Sequence, residues 1–172
     1  FIRRVEKSSD EFRSSSTEKR HSKQYRTARE NLAHLVDEDS FLEFGQFAVA
    51  AQRNRRDYEE LQDKTNADGI ITGFCSVNSE LVGAESSQAV AIVYDYSVLA
   101  GTQGAFHHLK LDRICDQAKK FELPIVIFTE GGGGRPGDTD VLVQMAGLHI
   151  PSFSTWAQLT GSSLKIAVNN GY

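Results

Sequence analysis

Glu130-Gly131-Gly132-Gly133-Gly134-Arg135-Pro136-Gly137-Asp138 is the segment most able to do chemistry. It follows Leu123-Pro124-Ile125-Val126-Ile127-Phe128-Thr129, a short apolar run rich in β-branched residues that reads as a buried strand. Four consecutive glycines leave the backbone bare, so its N–H groups can approach a ligand closely and adopt φ values that other residues avoid. Ligands of open α/β sheets bind beyond the carboxyl ends of the strands, which is where this loop falls. The competing reading is a surface turn, for which Gly and Pro are the usual residues.

Other candidate groups narrow the chemistry. The loop lacks the Gly-Lys-Ser/Thr ending of a P-loop, which disfavours nucleotide hydrolysis. His107 and Lys110 are three residues apart and share one helix face, where they could meet phosphates or simply be solvated. Arg135 could bind a phosphate or anchor the loop to Glu130 or Asp138. Glu130 could act as a general base. Cys75 and Cys115 lie in apolar contexts as buried thiols, and without a C-x-x-C pair or zinc-like histidine spacing no metal site is expected. His108 and His149 read as structural.

The elements that must position these groups are legible from periodicity. Thr27-Ala28-Arg29-Glu30 is a capping box opening a helix with Ala28, Leu32, Leu35 and Val36 on one face. Residues 40–44 look extended, and 54–68 form a polar loop or short helix. Strands are expected at 70–77, 89–95, 123–129 and 164–168, and helices from about Gly104 to Phe121 and over 152–159. Strand, strand, helix, then strand, helix, strand implies right-handed crossovers. Apolar runs without alternation imply parallel strands buried on both faces. Residues 1–23 lack sustained periodicity and are expected to be a linker or mobile arm.

Composition sets the outer bounds. The 172 residues are 40% hydrophobic and 24% charged, an ordinary globular balance for one domain. No apolar stretch reaches the ~18 residues of a membrane span. Residues 1–30 hold nine Lys/Arg against five Asp/Glu, and the remainder ten against eighteen. The basic leader is mixed in sign and poor in aromatics, which favours a solvated segment over a nucleic-acid arm. Phe1 followed by Arg3, Arg4, Glu6 and Lys7 is no secretory signal, and the missing initiator Met suggests a piece of a longer polypeptide.

In this order the segments resemble the N-terminal half of the β-type carboxyltransferase component of biotin-dependent acyl-CoA carboxylases. The likeness runs from about Thr27 to Tyr172. Ala28-Arg29-Glu30-Asn31-Leu32 through Ser40-Phe41-Leu42-Glu43 is similar to that family's first helix and "SF-x-E" turn. Asp68-Gly69-Ile70-Ile71-Thr72-Gly73 is similar to its "DG…TG" strand. Asp95 to Gly104, with His107, Lys110 and Arg113, resembles its "DFTV-x-GGS-x-G…H-x-x-K" segment. The glycine loop departs from the family's "GGAR" form, since Pro136 and Gly137 follow Arg135.

The resemblance implies an α/β, crotonase-like (ClpP/crotonase) half-domain of β-β-α units, with residues 24–172 the N-terminal part of a carboxyltransferase domain. It implies transfer of a carboxyl group from carboxybiotin to the α-carbon of an acyl-CoA, through an enolate held by backbone N–H groups. Gly133 and Gly134 are then the expected donors, and Gly132, Arg135, Gly101, Thr102, His107 and Lys110 the expected substrate-binding residues. Biotin would ride on a separate domain or subunit. The implied partners are acyl-CoA, a biotin carrier domain, a C-terminal carboxyltransferase half and further copies of the chain, with neither nucleic acid nor membrane. The expected compartment is the cytoplasm, or the mitochondrial matrix in a eukaryote. The alternative is a non-catalytic CoA-binding or assembly module of the same fold.

Overall fold

The computed structural model describes residues 1–141 and 151–170. Its centre is β3 (Gln88–Tyr94), flanked by β2 (Ile70–Ser76) and β4 (Ile125–Thr129). With β1 (Leu42–Phe44) and β5 (Lys165–Asn169) they make one five-stranded sheet in the order β1-β2-β3-β4-β5. β3, β4 and β5 are parallel, as expected, whereas β1, β2 and β3 form an antiparallel meander. The short connection from Val77 to Ser87 explains the difference, because a parallel pair needs a crossover of a dozen or more residues.

The unbroken apolar runs arise because β2 and β3 are covered on both faces. Ile70, Val90, Ile92, Ile125 and Ile127 pack against Leu111, Ile114, Cys115 and Ala118 of a long helix. Ile71, Ala89, Ala91 and Val93 point the other way, onto Ala28 and Leu32. Each fully buried aliphatic side chain contributes about 1.5–3 kcal/mol. Ten further residues beyond β3 lead into the long helix, Ala105–Phe121, which crosses back to β4 and places the glycine loop beyond the C-terminal end of that strand. The helix carrying Ala28 and Leu32 spans Ala28–Leu35 and starts on the expected capping box. Thr27 Oγ1 accepts from Glu30 N (3.0 Å), and Glu30 Oε2 accepts from Thr27 N (2.7 Å).

In chain order the helices are α1 (Ile2–Glu6), α2 (Ser14–His21), α3 (Ala28–Leu35), α4 (Tyr58–Lys64), α5 (Ser79–Val82), α6 (Ala105–Phe121) and α7 (Ser152–Gln158). Thus residues 1–23, expected as a linker or mobile arm, are folded. Arg13 pairs with Asp95 (2.7 Å), Lys7 with Asp63, and Arg20 with Glu130, and both Lys7 and Arg20 are buried. This segment docks through charges whose partners lie 56 to 110 residues away rather than through an apolar stripe, so no local pattern announces it. Likewise, Leu61 of α4 is buried, and a tight 3-10 turn over Asn66–Gly69 that follows is wholly buried.

Candidate active site at the glycine loop

The loop after β4 is strapped to the segment preceding α6. Gly132 N donates to Ala100 O (3.2 Å), Gln103 N to Gly133 O (2.8 Å), and Arg135 N to Gln103 O (2.9 Å). Gly101 and Gly131 sit at the tightest point, where a Cβ on either would strike the other strand's backbone. Gly104 is equally constrained, because its Cβ would strike Arg135 and Asp138. These three glycines are structural.

Gly133 and Gly134 differ. Both are exposed, and nothing lies within 4 Å of where a Cβ would stand on either. Among the described residues neither of their N–H groups has a hydrogen-bond partner. The amide of Gly132, in contrast, is already spent on Ala100. These two adjacent amides are therefore left available to a ligand on the open side of the loop.

Arg135 anchors the loop, and its side chain is only 4% exposed. Its guanidinium pairs with Asp68, donates to Thr102 O (2.6 Å) and Thr102 Oγ1 (3.2 Å), and lies 3.6 Å from Asp138. Thr102 is therefore engaged by Arg135, and Gly101 by the close backbone approach. Burial pushes the Asp68 carboxyl up from its usual range, and the Arg135 charge beside it pulls it back. Asp68 Oδ2 also accepts from His107 N (2.8 Å), while Asp138 accepts from Ala105 N (2.9 Å) and from Gln52 (3.0 Å). Asp138 thereby places a carboxylate at the N-terminus of α6, where the helix dipole favours one.

His107 and Lys110 share a face, as their spacing predicts, but that face is turned inward. His107 is fully buried and Lys110 nearly so, with its ammonium donating to the carbonyls of Ala67 (2.9 Å) and Ile70. Neither reaches a surface ligand. Burial depresses the Lys110 pKa to about 7 and the His107 pKa to about 3. Lys110 secures the 3-10 turn that presents Asp68, so the chain of contacts runs from Lys110 through that turn and Arg135 to the loop. Glu130 is not a free base either, because Arg20 holds it at 2.5 and 2.7 Å in a buried pair. Of the expected site residues, Gly132, Gly133 and Gly134 lie on an exposed surface, and of these three only Gly133 and Gly134 keep amides without a partner among the described residues, while Arg135, Thr102, Gly101, His107 and Lys110 are engaged in holding the loop and its supports. His149 lies outside the described residues.

Neutral His107 sets a pH dependence. The unfolded chain binds its proton near pH 6.5 and the folded chain only near 3, so stability is full above 6.5 and falls as pH drops between these values. A His107→Gln variant, which keeps a donor for Asp68 O, should show a shallower loss between pH 6 and 4 by about one proton in the linkage slope. Denaturation midpoints measured across that range provide the check; parallel slopes would contradict it.

Asp68, Asp138, Gln52 and Arg20 carry as much of the site as the glycines do. Asp68 is visible only as the first residue of the Asp-Gly strand opening. Asp138 is legible as a neighbour of Arg135 three residues away, but its bonds to Gln52 and Ala105 N are not, and Gln52 and Arg20 have no local signal because their partners are distant in sequence.

The strand meander, α6 crossover and glycine loop together define a crotonase-like α/β fold. A sequence profile for the carboxyl transferase domain matches residues 19–148. The chain belongs to this carboxyl transferase family. It is 31% identical over 118 residues to the methylmalonyl-CoA decarboxylase α subunit of Veillonella parvula, covering 69% of this chain and 21% of that protein. A propionyl-CoA carboxylase β chain from Cereibacter sphaeroides is 31% identical over 119 residues, covering 69% and 21%. Among solved structures, a single-chain, multi-domain long-chain acyl-CoA carboxylase matches with a TM-score of 0.91 and 47% identity over 98% of this chain and 16% of its own. Transcarboxylase 12S matches with a TM-score of 0.65 and 26% identity over 90% of this chain and 28% of its own. The chain thus spans about a fifth of the length of these two sequence relatives. Among the described residues no helix is long and apolar enough to cross a membrane.

Proposed function

We propose that this chain is the acyl-CoA-binding part of a biotin-dependent carboxyltransferase, in which Gly133 and Gly134 donate to the thioester oxygen as the α-carbon becomes an enolate. The observation that carries the reading is the pair of exposed, unpartnered amides on a loop whose other groups are spent on holding it. Membership of the carboxyl transferase family supports it. Free space where both Cβ atoms would stand admits a planar thioester or ureido group on the open face of the loop. Carboxybiotin, carried by another domain or subunit, would supply the carboxyl group as CO2, and the ureido group it leaves behind would take the α-proton. The chain's own contribution is to present the two N–H groups rigidly, through Arg135, Asp68 and the Gln103 strap.

Transcarboxylase 12S is described as a hexamer with methylmalonyl-CoA bound, and association of this chain with further copies and with a C-terminal carboxyltransferase half is part of the proposal. Assay of the full-length protein with acyl-CoA and carboxylated carrier domain tests it. Transfer of label to the acyl group is expected. Binding of CoA without transfer would favour the assembly-module alternative.

A further inference from the structure

Ser16, Lys19, Arg20 and Lys23 recur at helical spacing along α2 and the turn after it, and all four line one cavity of about 290 Å³. Its other walls include Tyr25, Tyr96 and Ala100, with Glu130 at its base. Two of these residues belong to the glycine-loop seam: Ala100 O accepts from Gly132 N, and Glu130 immediately precedes Gly131. The cavity therefore abuts the loop that carries the free amides.

The charges of this cavity are unequal in kind. Arg20 is cancelled by Glu130 and flanked by the rings of Tyr25 (5.1 Å) and Tyr96 (5.7 Å). It is a structural floor. Lys19 and Lys23 are exposed, and among the described residues neither has an acidic partner within 4.0 Å. Elsewhere in the N-terminal segment Arg3, Lys7 and Arg13 are all ion-paired. Two unpaired cations four residues apart share a wall with the Ser16 hydroxyl, and the cavity's one carboxylate, Glu130, is neutralised by Arg20. Such a set takes a phosphate group. Ligand pockets span roughly 300–1,000 Å³, so this one holds only one end of a large ligand.

We infer that Lys19 and Lys23 bind the phosphates of the nucleotide end of an acyl-CoA whose thioester lies at Gly133 and Gly134. The inference rests on the function proposed above and gives phosphate recognition to α2, in place of the buried Lys110, His107 and Arg135. It also assigns a task to the docking of α2: the Arg20–Glu130 pair fixes the phosphate face relative to the loop.

The test compares acyl-CoA with the matching acyl-pantetheine, which lacks the nucleotide, in the full-length protein. The Lys19→Glu/Lys23→Glu variant should raise KM for acyl-CoA at least tenfold and leave both constants for acyl-pantetheine within twofold. The Lys19→Arg/Lys23→Arg variant should retain most of the wild-type KM. Equal losses on both substrates, or an unchanged KM for acyl-CoA, would overturn the assignment. If the wild type transfers to neither substrate, calorimetric titration with CoA and with pantetheine still decides. Tenfold weaker CoA binding in the Glu variant, with pantetheine unaffected, upholds the site although the carboxyltransferase reading has failed; unchanged CoA affinity removes it.

Discussion

Arg135→Met should destabilise the fold by about 3–5 kcal/mol, the usual cost of leaving one member of a buried ion pair uncompensated. Asp68 is fully buried, and burial already drives its carboxyl toward protonation. Without the guanidinium it must bind a proton or remain charged in a dry site, and Thr102 O loses its donor as well. The loop would also lose its tie to the 3-10 turn. The double variant Asp68→Asn/Arg135→Met should recover part of the loss, because neither residue is then charged. Thermal unfolding of the full-length protein, following the transition of this domain, provides the comparison. A single variant melting with the wild type would show that the pair contributes nothing. An additive double variant would show that the two side chains act independently.

That outcome bears on what the sequence could reveal. Every sheet strand and the helices α3, α6 and α7 were legible from apolar runs, the Thr27 capping box and 3-4 spacing, to within about two residues. These are local signals that the fold obeys. The apolar pattern does not reveal the antiparallel β2–β3 pairing, since burial on both faces erases alternation for either direction; only the short connection from Val77 to Ser87 points to it. Residues 1–23 were unreadable for another reason. Their docking rests on Lys7, Arg13 and Arg20 meeting Asp63, Asp95 and Glu130, and a charged side chain looks alike in sequence whether solvated or paired.

The same limit governed the site. Gly133 and Gly134 can be singled out from the sequence because four glycines in a row beyond a strand leave the backbone bare, and the structure leaves their amides without partners among the described residues. Lys110 and His107 were placed on the correct face of α6, but helical spacing does not say what that face meets. It meets the Ala67–Ile70 carbonyls and Asp68, so two residues that look like phosphate ligands are buried props instead. Residue type suggested the chemistry, and burial reassigned it.

Gly134→Val should separate function from stability most sharply. Gly134 is not among the residues with positive φ, and a Cβ there meets nothing within 4 Å, so valine fits the backbone and leaves the melting transition in place. Its branched side chain would stand on the open face of the loop, where the proposed function has the thioester approach the two N–H groups. Acyl-CoA carboxylation should fall at least tenfold, and by as much as about 10²–10³ if a donor is lost outright. Biotin carboxylation, wherever it is catalysed in the full-length protein, should be untouched. Gly133 is a poorer probe, because its φ of +86° would strain any side chain and mix the two effects. Gly137→Ala is the control: its Cβ would meet Arg55 Nη1 at 3.0 Å and the Gln52 side chain, with Nε2 at 3.2 Å, the far ends of two long side chains that can give way. It should cost far less activity. Unchanged turnover in a folded Gly134→Val protein would remove the oxyanion role from this loop and leave the chain as a CoA-binding module.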